Sequence, residues 1–288
     1  MEEKTISTVN EFIKELEKLY SKNPARYHFY RGEENAEWKS LPSILRKTNL
    51  GKEKEYREKV LAEYPEEYHS LESIDVLAKI QHYFSHTRLL EVTANPLTAL
   101  YFACAEHLNK NGAVYIYSSD TLLSYESDKA YMLAMLSKFP QEDQNNIRKV
   151  AIEFLEADLL INKSNINGLD PELQRSLINF IYALMRERSD FANFRINPAH
   201  LLQSYFVKPA YNNKRTQNQE GAYILFGLEN DNKKQIPYLS PDAKNNNITS
   251  LKIVVDKEAK TNIINQLKIL NITKSKLFPD IQNALFEL

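Results

Sequence analysis

The sequence predicts an α+β fold: a small mixed sheet built from both ends of the chain, flanked by helices and interrupted by a helical insertion. Three observations carry that expectation. Short aromatic or β-branched runs bounded by turn residues occur only toward the two ends, at 26–31, 113–117, 221–227 and 250–256. Between them, residues 120–189 show amphipathic helical periodicity and no strand signal. The 288 residues, 43% hydrophobic and 26% charged, suffice for one large core, since single cores stop growing at roughly 250–300 residues.

Taken in order, Val9, Phe12, Ile13, Leu16, Leu19 and Tyr20 fall at helical spacing, and Thr8-x-x-Glu11 has the capping-box pattern that starts a helix. Residues 26–31, bounded by Asn23-Pro24 and Gly32, read as a strand whose last side chain, Arg31, stands at a strand-to-loop junction. Helices are predicted around 53–64 and 72–83. Asn95-Pro96 begins another, with a cap residue followed by proline at the first helical position, and Leu97, Leu100, Tyr101, Cys104 and Leu108 form its buried stripe. Ala113–Tyr117 is a strand entered through Asn111-Gly112, and Gly168-Leu-Asp-Pro171 breaks the helical block. The polar stretch 229–249 reads as a loop, and helices are expected at 258–270 and 279–287.

Composition narrows the function. Lys+Arg 37 against Asp+Glu 38 gives a net charge of -1, so no strong general nucleic-acid binding is expected. The 6 glycines never form G-x-G-x-x-G or G-x-x-x-x-G-K-[ST], which excludes glycine-rich phosphate cradles. The lone Cys104, in Tyr-Phe-Ala-Cys-Ala, reads as a buried small hydrophobe, because an apolar setting raises a thiol's pKa. With no apolar signal core and no run near the ~20 residues of a membrane span, the expectation is a cytoplasmic protein without membrane contact.

The densest group of non-core side chains lies at 81–96, which we read as a connection between two helices carrying Gln81, His82, His86, Thr87, Arg88, Glu91, Thr93 and Asn95. Each has an ordinary structural role open to it: satisfied histidines, an Arg88–Glu91 ion pair, Thr93 or Asn95 as a helix cap. Together they point to a site. Metal binding is not expected, since His82 and His86 have i, i+4 spacing without the glutamate of H-E-x-x-H. No G-x-S-x-G elbow exists for a serine hydrolase.

Tyr30-Arg31-Gly32, Trp38-x-x-Leu41-Pro42-Ser43-x-x-Arg46, the run from Leu77-Ala78 through Gln81-His82-Tyr83, Thr87-Arg88-Leu89-Leu90-Glu91 and Thr93-x-Asn95-Pro96, and Ala99-Leu100-Tyr101-Phe102-Ala103 resemble the FRG domain. Arg215-x-x-x-Gln219-x-Gly221-x-Tyr223 and Leu277-Phe278-Pro279-Asp280 resemble its later signature. The chain departs from the family pattern at Phe84, His86 and Glu91, where Gly, Pro and Asp are usual. The resemblance implies a discontinuous FRG domain, 1–118 and 204–288, around a helical insertion at 119–203, in a bacterial or phage-related protein.

The order of these elements is also similar to ADP-ribosyltransferase-like folds. That likeness implies NAD as substrate, Arg31, Gln81, His82, Thr87, Arg88, Thr93 and Asn95 around the dinucleotide, and Arg31 with Gln219 or Glu220 in catalysis. Placed on a strand, Gln219 and Glu220 would point to opposite faces, and only one could serve. An enzyme of this kind would act in phage defence or toxicity on a protein or nucleic-acid acceptor. The alternative is a non-catalytic sensor module whose pocket holds a nucleotide or a protein segment, with the helical block as partner surface.

Overall fold

The computed structural model describes residues 4–22, 24–46, 49, 51–84, 86–208, 214–228 and 248–279. The loop expected at 229–249 falls outside them up to residue 247, as does nearly all of the helix expected at 279–287.

In chain order the elements are β1 (Lys4–Ile6), α1 (Val9–Lys22), β2 (Tyr27–Glu33), α2 (Glu53–Glu63), α3 (Pro65–Tyr68), α4 (Ser73–Phe84), β3 (Leu89–Thr93), α5 (Pro96–Cys104), β4 (Gly112–Ser119), β5 (Leu122–Ser124), α6 (Asp128–Met135), α7 (Gln141–Glu156), α8 (Pro171–Glu187), α9 (Ala199–Leu202), β6 (Tyr205–Lys208), α10 (Lys214–Asn218), β7 (Gly221–Leu225), β8 (Thr249–Val255), α11 (Lys260–Ile269) and α12 (Lys274–Leu277). The eight strands form one mixed sheet in the order β1-β8-β4-β2-β3-β7-β6-β5. The outer pairs β1/β8 and β5/β6 are parallel and the pairs between them antiparallel.

The α+β class and the mixed sheet stand as read from the sequence, and the sheet is wider than the four predicted strands. Strands β1, β5 and β6 are too short to show a period-two pattern, and β5 falls where no strand was expected. Strand β3 corrects the reading of 81–96 as a connection: residues 89–93 form a central strand, paired with β7 from Leu89 opposite Leu225 to Thr93 opposite Gly221. Leu108 is also corrected. Helix α5 ends at Cys104, His107 adopts a left-handed φ of 47°, and Leu108 is turned into solvent.

Local sequence dictates the helix starts. Glu11 N donates to Thr8 Oγ1 at 3.1 Å, the cap bond the pattern predicts, while Glu11 Oε2 accepts from Ser7 N at 2.7 Å, one residue before the cap. The Asn95 side chain accepts from the backbone of Leu97 and Thr98, with Pro96 beginning α5.

Because side chains alternate along strands, Tyr30, Thr93, Glu91, Leu89, Tyr223 and Leu225 share one face. Half of that face, on β1, β8, β4 and β2, packs against α1, α5 and α11 through Tyr30, Val114, Ile116, Ile253, Phe12, Leu100 and Ile263. The other half packs against α4 and the helical block through Leu89, Tyr223, Leu225, Leu77, Leu133 and Phe180. The opposite face buries Phe29, Leu90, Val92, Tyr117, Phe206 and Ile224, with Leu41 and Leu45 laid against them. Helix α5 can approach β2 closely because Gly32 has no side chain: a Cβ there would lie 2.0 Å from Ala99 O and 2.6 Å from Ala103 N.

A buried ion pair ties the start of β3 to α2 and to the helical block. Arg88, 3% exposed, donates to the Glu53 carboxylate from its backbone N at 2.8 Å and from Nε at 2.9 Å, and its Nη2 donates to Gln144 Oε1 on α7 at 2.8 Å. Its sequence-expected partner, Glu91, is not the one it meets. Removing one member leaves an uncompensated buried charge, at a cost of about 3–5 kcal/mol. We predict that loss for Arg88→Met in urea denaturation, with Arg88→Met/Glu53→Leu recovering most of it.

Burial pushes the Cys104 thiol up to about 12, against a smaller opposing pull from Lys260. Its contribution to stability is therefore complete below its ordinary pKa of 9.0 and declines as pH rises toward 12, because the unfolded thiol ionises first. At pH 8 the native thiol should resist a disulfide-exchange reagent such as DTNB and react fully once the protein is unfolded.

Candidate functional site

Strands β2 and β3 pair at one position, Tyr30 opposite Thr93. Beyond it, Arg31–Glu33 and the facing part of β3 diverge, so the sheet splits where its two helix-covered halves meet. The split opens a cleft of about 290 Å³. Its walls are Arg31, Gly32 and Glu33 from β2, Glu91 and Thr93 from β3, Phe102 from α5, Trp38 from the loop after β2, and Arg215 with Gln219 from the α10 segment.

Arg31 leaves the face of β2 opposite Tyr30 and reaches into the split. Its Nε donates to Glu33 Oε1 at 2.7 Å and its Nη1 to the carbonyl of Glu91 at 2.9 Å. Burial works against its charge. The charge and hydrogen bond of Glu33 more than offset this, helped by Tyr117 and Glu91, and the guanidinium's pKa ends above its ordinary value. Arg31 is therefore paired, yet it stands in the cleft and not away from it.

Arg215, which belongs to the late signature and has no predicted site role, joins the cleft wall. Its guanidinium lies 4.9 Å from the ring centroid of Phe278, and Phe278 meets Phe102 edge-on at 5.9 Å. Gln219 follows one helical turn later, so the four-residue spacing was the available signal. Its Nε2 donates to Leu277 O at 3.0 Å, and its own backbone carbonyl accepts from Thr93 Oγ1 at 2.6 Å. Gln219 and Glu220 lie in the turn between α10 and β7 and not on the strand, with Glu220 at a left-handed φ of 48°. That turn sends the two side chains apart. Gln219 lines the cleft, whereas the Glu220 carboxylate accepts from Asn95 Nδ2 at 3.0 Å.

Among the other predicted site residues, His82 lines a small recess that shares Glu91, Arg215 and Gln219 with the cleft and adds Tyr223. Burial raises the Tyr223 phenol's pKa, Glu91 adds to this, and Arg215 opposes it, so the three side chains are electrostatic neighbours. Gln81, Thr87 and Arg88 do not line the cleft. Thr87 Oγ1 donates to Gln81 Oε1 at 2.7 Å, both buried, and Arg88 is enclosed by Glu53 and Gln144. Asn95 is the cap of α5. His86, whose Nδ1 meets the Phe84 carbonyl, stacks on Tyr56 and does not join His82.

Glu34, Glu106 and His107 bring ligand atoms within 4.8 Å of one another beside Trp38, and His107 Nδ1 there pairs with Glu34 Oε2 at 2.7 Å.

Since Asn95 holds the start of α5, Asn95→Ala should lower stability by about 0.5–2 kcal/mol, read as a shift in the thermal or urea midpoint.

No curated protein and no solved structure matches the chain significantly. No helix among the described residues is long and apolar enough to cross a membrane. The family model of the FRG domain matches residues 26–112, the span from the start of β2 through β3 and α5 to the start of β4. Arg215, Gln219 and Phe278, which complete the cleft, lie outside that match. With Arg31, Gly32, Trp38 and Glu91 all inside it, the chain carries an FRG domain whose residues build most of the cleft wall.

Proposed function

We propose that the cleft binds NAD and that this FRG-domain protein is an ADP-ribosyltransferase-like enzyme acting in phage defence or toxicity. The observation that carries the reading is the meeting of two guanidinium groups, Arg31 and Arg215, in one sheet-splitting cleft walled by Trp38 and Phe102. Guanidinium groups offer fixed forks of donors to phosphate oxygens, and a diphosphate presents two sets of acceptors. The aromatic walls suit flat heterocycles. Nothing in this arrangement needs a glycine-rich loop.

The roles shift from those expected of the sequence. Arg88 is enclosed in the interior, so Arg215 takes the second phosphate position. Thr93 acts through the backbone, holding the Gln219 carbonyl against β3. The Gln219 amide oxygen has no hydrogen-bond partner among the described residues and is available to a ribose hydroxyl. The setting in defence or toxicity follows from the family resemblance alone, and the acceptor would be a protein or nucleic acid.

The second reading is a nucleotide-binding sensor without turnover, the helical block serving as partner surface. It is favoured by the neutrality of Gln219, whose amide nitrogen is engaged by Leu277 O.

Calorimetry with NAD and assay of nicotinamide release in a cell extract separate the two. The enzyme reading expects both signals, with Arg31→Ala and Arg215→Ala each weakening binding at least tenfold, since a charged hydrogen bond contributes about 1.5–3 kcal/mol. Binding without release selects the sensor, and no binding by the intact chain refutes NAD as the ligand.

A further inference from the structure

We infer that Glu91 is the cleft's reacting carboxylate, the group that faces the electron-deficient sugar carbon formed when a nucleotide's glycosidic bond breaks. The inference rests on the reading of the cleft as an NAD site and assigns to Glu91 a role that the likeness to ADP-ribosyltransferase-like folds implied for Gln219 or Glu220.

Among the described residues, three carboxylates line the cleft: Glu33, Glu34 and Glu91. Two are engaged. Glu33, 5% exposed, accepts from Arg31 Nε at 2.7 Å, and Glu34 Oε2 pairs with His107 at 2.7 Å. The Glu91 carboxylate has no hydrogen-bond donor and no ion pair among the described residues, although it is half-buried. Glu220, the acidic residue nearest Gln219 in sequence, is turned away to Asn95.

The position of Glu91 is fixed from both sides. It sits in the middle of β3, in register with Tyr223 of β7, and its carbonyl accepts from Arg31 Nη1 at 2.9 Å. It borders both the main cleft and the recess that holds His82, Arg215 and Gln219. A ligand held by Arg31 and Arg215 therefore lies against this carboxylate, and a strand holds a side chain more rigidly than the turn that carries Gln219.

With water as acceptor the chemistry balances as follows. The bond between ribose C1′ and the pyridinium nitrogen breaks, and its electron pair leaves with nicotinamide, which departs neutral. Positive charge developing at C1′ is stabilised by the Glu91 carboxylate. Water forms the new C1′–O bond, and its proton passes to Glu91 and then to solvent. NAD and water give ADP-ribose, nicotinamide and a proton, with no change of oxidation state.

The test is nicotinamide release by the full chain and by Glu91→Gln and Gln219→Ala, with NAD affinity measured in parallel by calorimetry. Circular dichroism and native protection of Cys104 check that the variants fold. We expect Glu91→Gln to lower kcat at least 100-fold while Kd changes by only a few fold, and Gln219→Ala to act mainly on Kd. A Glu91→Gln variant that turns over at the wild-type rate overturns the inference and leaves the NAD reading standing. A wild-type chain that binds NAD but releases no nicotinamide overturns the inference alone, and one that binds no NAD overturns both.

Discussion

A guanidinium as deeply buried as that of Arg88 must meet a carboxylate and have its donors satisfied, because a lone charge in an apolar interior is far too costly. Much of the fold is arranged around that requirement. Glu53 opens α2 and supplies both oxygens, Gln144 of α7 supplies a third acceptor, and the Arg88 carbonyl receives Phe226 N at the end of β7. Gln144 in turn donates to Phe139 O. One side chain thus fixes the start of β3 against α2, β7 and the helical block. Polar contacts nearer the surface extend the same contact: Glu187 of α8 accepts from Ser73 N and pairs with Lys138, and Arg188 donates to Glu72. The helical block is consequently docked on the sheet by polar as well as apolar contacts.

With β3 anchored at that end and paired to β2 only at Thr93, the sheet cannot close across Arg31–Glu33. The gap is held open from both sides. On one, α5 lies on Gly32 so closely that any side chain there would collide with its backbone. On the other, the turn before β7 brings Arg215 and Gln219 to the opening, fastened by Asn218 and Gln219 to the carbonyls of Lys276 and Leu277. The rim beyond Glu33 is fixed by Lys260, fully buried, whose ammonium donates to the carbonyls of Glu34, Glu106 and His107. Burial lowers the pKa of that ammonium, and the three carbonyls meet its three donors. The cleft is a built opening in a continuous sheet, with rigid elements behind each wall.

The charge balance inside it bears on chemistry. Arg31 is held in its charged state by Glu33, Arg215 rests on an aromatic face, and the Glu91 carboxylate has no hydrogen bond or ion pair among the described residues. Cations and a carboxylate lining one partly enclosed space form an arrangement that can hold an anionic ligand and stabilise positive charge beside it. Phosphate recognition in this chain would then run through side chains, consistent with a sequence that has few glycines and no phosphate-binding loop.

The sequence by itself determined the α+β class, the helix caps at Thr8 and Asn95, the inertness expected of Cys104, and a strand that carries Arg31, although that strand runs on to Glu33 and does not end at Arg31. Each of these depends on neighbours a few residues away, so local spacing and residue chemistry suffice to read it. Tertiary structure alone decided that 89–93 is a central strand, that Arg88 and Thr87 serve the interior, and that Gln219 and Glu220 part company at a turn. The partner of Arg88 lies 35 residues earlier and its second acceptor 56 residues later. No local pattern can tell a buried arginine awaiting a distant glutamate from one presented to a ligand. That choice is made when the chain folds and distant residues either meet or leave a side chain facing open space.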